Sequence, residues 1–106
     1  MEGIVVLVTC ASAKEAHCLA RAVVRKRLAA CVNVAMSSVE SVYWWKGKVE
    51  TAREVLLFIK TARRGFGALA KEIKRLHSYD TPEIIALPIA AGSQAYLKWL
   101  RKSVEL

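Results

Sequence analysis

Acidic residues are scarce in this chain of 106 residues: nine Asp and Glu stand against 17 Lys and Arg, for a formal net charge of +8. Only two histidines are present. A catalytic apparatus built from carboxylates and imidazoles therefore has little to draw on. No G-x-S-x-G, Walker A or G-x-G-x-x-G pattern occurs, so the chain reads as non-enzymatic, with no catalytic residues. Cys10, Cys18 and Cys31 are odd in number and lack a C-x-x-C spacing. That argues against a disulfide framework or a closed zinc site, and all three read as small buried hydrophobes. No apolar run approaches the ~18 residues of a membrane span. The N-terminus carries Glu2 in place of a basic n-region, and its apolar run is only strand-length. Neither signal peptide nor anchor is expected, and the expected location is cytoplasmic. Repeats, linkers and low-complexity segments are also missing, which leaves one domain over residues 1–106.

What is present is a core. Hydrophobic residues make up 55% of the chain, enough to exclude disorder. Residues 4–10, IVVLVTC, are β-branched and almost wholly apolar, the pattern of a central strand buried on both faces. Ser12 opens an S-x-x-E capping box with Glu15. Ala16, Ala20, Val24 and Leu28 then recur every four residues, which predicts an amphipathic helix of about 16 residues. From Cys31 to Trp45 the period is two, slipping near Ser37-Ser38, where a bulge or bend is expected. Residues 49–61 alternate again after Lys46-Gly47. Phe66, Leu69, Ala70, Ile73 and Leu76 mark a second helix, 83–89 a fourth strand, and Gly92-Ser93 the start of a short last helix. The order βαββαβ plus a C-terminal helix gives an α+β, ferredoxin-like split β-α-β sandwich with a long hairpin between strands two and three.

That hairpin is too long for its own domain. Fifteen residues at ~3.3 Å extend about 50 Å, whereas a 100-residue domain has a radius of gyration of about 13 Å. Its tip would project Tyr43, Trp44 and Trp45, each with of order 150–250 Å² to bury. A closed homo-oligomer, each hairpin lying against a neighbour, is the economical solution. The same element order is that of RNA-recognition motifs, and "RGFGALAK" (64–71) meets the first half of their RNP1 pattern. Ala68 and Lys71 stand where stacking aromatics belong, however, and the segment opens a helix where the motif needs a strand. The basic residues fall mainly on helix faces, as Arg21, Arg25, Lys26 and Arg27, then Lys71, Lys74 and Arg75. A solvated face is the expectation, and nucleic acid is not an expected partner.

The densest polar stretch is "HSYDTPEI", residues 77–84. His77 is either a metal ligand, since neutral imidazole suits copper, zinc and nickel, or a cap on the C-terminus of the second helix. His17 and Cys18 read as ordinary helix residues.

Taken in order, "RLAACVNV" (27–34), "SVYWWKGKVE" (41–50), "EVLLFIKT" (54–61), "HSYDTPEI" and "YLKWL" (96–100) resemble the CutA divalent-cation tolerance family over nearly the whole chain. The resemblance implies a homotrimer with hairpins exchanged around the ring, similar to the PII signalling proteins, and links to divalent metals, copper first. His77 falls on a ligand position proposed in the family. Leu76 stands where some members carry a second histidine, and Val8 falls on their first-strand cysteine. Cys10, on the same strand face as Val8, is the expected substitute. The PII likeness gives an alternative: a small ligand in intersubunit clefts, with Glu54, Lys60, Tyr79 and Glu83 as candidate contacts and Trp45 supplied by a neighbour's hairpin.

Overall fold

A computed structural model describes residues 2–104. Five strands form one antiparallel sheet: β1 (Gly3–Cys10), β2 (Cys31–Val34), β3 (Val39–Trp45), β4 (Lys48–Ala62) and β5 (Ile84–Pro88). Three helices accompany them: α1 (Ala13–Arg25), α2 (Phe66–Leu76) and α3 (Gln94–Ser103). The strand order is β2-β4-β1-β5, with β3 continuing the β2 side of β4. This is the ferredoxin-like split β-α-β arrangement.

β1 is central, flanked by β4 and β5. Its register sets Val6 opposite Ile59, Val8 opposite Leu57 and Cys10 opposite Val55. Side chains alternate along a strand, so these residues share one face. Against it pack Ala16, Leu19, Ala20 and Val23 of α1 and Leu69 and Ile73 of α2, all buried. Thr61, also buried, satisfies its hydroxyl by donating to the Leu28 carbonyl at 2.8 Å. The opposite face of the sheet carries Thr9, Glu54, Leu56, Phe58 and Lys60.

The expected long second strand is two. β2 ends at Val34, the chain bends at Met36 and Ser37, and β3 resumes against the outer half of β4, from Val39↔Glu54 to Trp45↔Lys48. Ala35 N–H still donates to Leu56 O at 2.9 Å, so the bend stays tethered. At the tip Lys46 (φ 50°) and Gly47 (φ 79°) both take left-handed backbone, the requirement of a tight two-residue hairpin turn. The hairpin stretches the molecule to 44 × 25 × 24 Å.

Helix α1, at 13 residues, is shorter than the four-residue apolar spacing suggests. It stops at Arg25, and Arg27 turns left-handed at φ 59°. Leu28 therefore lies outside the helix, and Val24 is 40% exposed while Val23 fills the core. Of the three cysteines, Cys10 is buried as expected, but Cys18 is exposed and Cys31 only half-buried.

Candidate functional site

The loop after α2 is locked to the end of β1 through His77. Ile89 N–H donates to Gly3 O at 3.0 Å, which fixes the alternation: the carbonyls of residues 3, 5, 7 and 9 face β5. Pairing with β5 ends at Val8↔Ile84, so Thr9 O is left past the end of the ladder. The imidazole takes that place. His77 Nε2 lies 2.8 Å from Thr9 O, and Nδ1 accepts the Tyr79 N–H at 3.0 Å. An Nδ1 that accepts must be unprotonated, so Nε2 carries the hydrogen and donates. Both ring nitrogens are thereby engaged, inside a buried side chain. His77 does stand at the C-cap of α2, but its ring bonds to β1 instead of capping the helix carbonyls.

Glu15 supports the same loop from α1. Ser12 Oγ accepts Glu15 N–H at 3.2 Å, one half of a capping box. The carboxylate does not return to Ser12. It accepts Ala11 N–H at 3.2 Å and Ser78 N–H at 2.8 Å. Burial pushes its pKa up, but the hydrogen bonds from Ser78 and Ala11 outweigh this and hold it below the ordinary carboxylate value. Glu15 Oε2 is 3.8 Å from His77 Nδ1, too long for a hydrogen bond and without a proton between them in this tautomer.

Beyond this latch lies a cleft of about 590 Å³ on the open face of the sheet. Residues at i, i+2 and i+4 of a strand share a face, which brings Ser41, Tyr43 and Trp45 of β3 together with Glu54 of β4. Val42 of β3, Thr9 of β1 and the 79–83 loop, with Tyr79, Asp80, Thr81 and Glu83, complete the lining. Glu54 is only 7% exposed. Tyr79 OH donates to its Oε2 at 2.8 Å, and Tyr79 stacks obliquely on His77 with ring centroids 4.7 Å apart. Burial and the Glu54 carboxylate push the Tyr79 phenol well above its usual value, so it stays a donor. Among the described residues Tyr79 is the one hydrogen-bond donor to Glu54, and no Lys or Arg pairs with it.

Of the residues singled out by sequence, Trp45, Glu54, Tyr79 and Glu83 line this one cleft. Trp45 reaches it from its own chain's hairpin. Lys60 does not line it: it sits six residues along β4, opposite Val5 and Cys31, roughly 20 Å away along the strand. Cys10 points to the helix-covered face, into the core. Burial first, then the Glu15 and Glu54 carboxylates, raises its thiol to about 12, so it is neutral and a poor ligand at physiological pH. Among the described residues no group of three or more His, Cys, Asp and Glu side chains is placed to hold a metal ion. Sequence reasoning passed over Thr9, because its contribution to the latch is a backbone carbonyl, and assigned Glu15 only a capping role.

The profile of the CutA1 divalent ion tolerance protein matches residues 4–103. The chain belongs to the CutA1 divalent ion tolerance family. The "Divalent-cation tolerance protein CutA" of Thermus thermophilus is 46% identical over 99 residues, covering 93% of this chain and 95% of that protein. "Protein CutA 1, chloroplastic" of rice, Oryza sativa, is 48% identical over 101 residues, covering 95% of this chain but 56% of that protein. The chain thus spans about half the length of several CutA relatives, and nearly all of others. Solved CutA1 structures share the fold: that from Thermus thermophilus superimposes with a TM-score of 0.94 at 45% identity, covering 97% of this chain and 99% of that one. The Oryza sativa CutA1 gives 0.95 at 46% identity, with 99% and 95% covered.

Proposed function

We propose that this CutA1-family chain is a non-enzymatic, homotrimeric protein that binds divalent cations in the Glu54 cleft. The observation that carries the reading is Glu54 itself. A carboxylate this buried is costly unless a cation balances it, none among the described residues does, and the cavity it faces adds Asp80 and Glu83. Divalent-cation tolerance is what the names of the relatives state. His77 and Cys10 are the weaker ligand candidates. A metal on His77 must displace the bond to Thr9 or the one from Tyr79, and a metal on Cys10 must strip a neutral thiol inside the core. Oxygen donors alone suit hard cations better than copper. Since the described residues of one chain do not supply three converging ligands, water or a neighbouring copy completes the coordination.

The trimer rests on the exposed hairpin. Trp44 is 74% exposed, and Trp45, Val42 and Val49 are also open. Covering ~100 Å² of each tryptophan contributes about 2–3 kcal/mol per ring. Three chains of 11.7 kDa give a particle of about 35 kDa. Native mass spectrometry with Mg²⁺, Zn²⁺ and Cu²⁺ tests both parts. A trimer that takes up metal in fixed stoichiometry, and loses it in Glu54→Gln but not in Cys10→Ala, is the expected result. A monomer refutes the assembly, and uptake unchanged by Glu54→Gln refutes the site.

A further inference from the structure

We infer that the physiological occupant of the cleft includes a small organic ammonium ion, its charge on Glu54 and its carbon body against the rings of Tyr43, Trp45 and Tyr79. This rests on the reading above that the Glu54 cleft is the ligand site, and it names a ligand class that a bare metal does not satisfy.

Size comes first. A cation with six waters fills about 180 Å³ at ~30 Å³ per water, less than a third of the 590 Å³ available. The remaining space lies in the range of cavities that hold small organic molecules. The lining then decides the chemistry. Three aromatic rings and three carboxylates, Glu54, Asp80 and Glu83, face a cavity to which no Lys or Arg among the described residues of the same chain contributes. That is unusual in a chain of net charge +8. Aromatic faces beside carboxylates select organic cations, because the ring quadrupole attracts the ammonium while its carbons are desolvated. Lys46 Nζ lies 5.9 Å from the Trp45 ring centroid, at the outer reach of a cation–π contact.

Glu54 supplies the anchor independently of the acidic cluster. It is more than nine-tenths buried, faces the cavity, and is bonded by Tyr79 at Oε2 alone among the described residues. No side-chain oxygen among the described residues is both sealed from solvent and without a partner, so Oε1, which has no partner among them, is in contact with solvent. An N–H donor of a ligand meets it there. Tyr79 stays protonated and keeps the carboxylate oriented.

Isothermal titration of the intact protein with phenethylammonium, and with its neutral isostere 2-phenylethanol, tests the inference on the unaltered chain. The ammonium ion is expected to bind one site per chain, at least about tenfold more tightly than the alcohol. Glu54→Gln, which still accepts the Tyr79 hydrogen bond, should weaken the amine by at least about tenfold and leave the alcohol unchanged. Zn²⁺ added beforehand should compete. Equal affinity for amine and alcohol, or no amine binding at millimolar concentration, overturns the inference. Zn²⁺ bound at Glu54 with no amine binding overturns it while leaving the cation site standing. Amine binding without any metal binding supports it and removes the divalent-cation reading.

Discussion

Replacing His77 by Leu removes the latch between the 77–81 loop and β1 while keeping a side chain of similar bulk. Two hydrogen bonds go with the imidazole, at 2.8 Å to Thr9 O and 3.0 Å from Tyr79 N–H. Thr9 is buried and its carbonyl lies beyond the last rung of β5, so it finds no other donor and costs about 1–3 kcal/mol. Tyr79 is half-buried, and water reaching its N–H limits that loss to about 1 kcal/mol. The sum is about 2–4 kcal/mol, which lowers a urea midpoint by roughly 1–3 M at an m-value of about 1.5 kcal/mol/M. Wild type and variant must be compared at equal chain concentration, since assembly adds to apparent stability. His77→Gln, whose amide can donate to Thr9 O, should recover part of the loss. A change below about 0.5 kcal/mol for His77→Leu would refute the latch and free the ring for the metal-ligand role expected from its sequence position.

Other outcomes follow from the same geometry. Iodoacetamide should alkylate exposed Cys18 and spare Cys10, whose thiol is raised to about 12; peptide mass spectrometry after labelling at mildly alkaline pH reads this, and early modification of Cys10 in folded protein would contradict the packing. Glu15 and Glu72 both have lowered folded pKa values, Glu72 to about 2 through hydrogen bonds from Arg75 and Lys26. Their stabilisation is therefore present above about 4.5 and lost as pH falls below it, so melting temperatures should decline there, less steeply in Glu15→Gln. Thr61→Val removes the donor to Leu28 O and should cost about 1–2 kcal/mol in chemical unfolding, with no change in assembly. Trp44→Ser should leave each chain folded by circular dichroism and weaken the oligomer in a dilution series.

The fold was legible because its signals are local. The β-branched run IVVLVTC marks an interior strand and is the centre of the sheet, but helices cover only one of its faces, and Val5 and Leu7 on the other are half-buried. The capping box at Ser12 marked the start of α1, but its end was misplaced: the four-residue apolar spacing runs on to Leu28, while the backbone reverses at Arg27. That reversal leaves no trace in hydropathy. The bend near Ser37 was visible as a slip of phase, though not its consequence, that β3 uses only the outer half of β4.

The site was legible in its parts and not in its assembly. The 77–84 loop stood out as the densest polar stretch, and Trp45, Glu54, Tyr79 and Glu83 were all singled out. Their convergence depends on strand register, which sets Tyr43 and Trp45 on the face of Glu54 and puts Lys60 far along the strand. Tyr43 carried the same signal as Trp45, a position two residues away on one face. The engagement of His77 could not be read from sequence at all, because its partner is a backbone carbonyl orphaned by the length of β5.

Crystals soaked in Zn²⁺ and measured at the zinc absorption edge would locate the cation directly. Anomalous density is expected about 2.0–2.2 Å from a Glu54 carboxylate oxygen, with the His77 ring still bonded to Thr9. Density on His77 or Cys10, with Glu54 untouched, would contradict the Glu54 site.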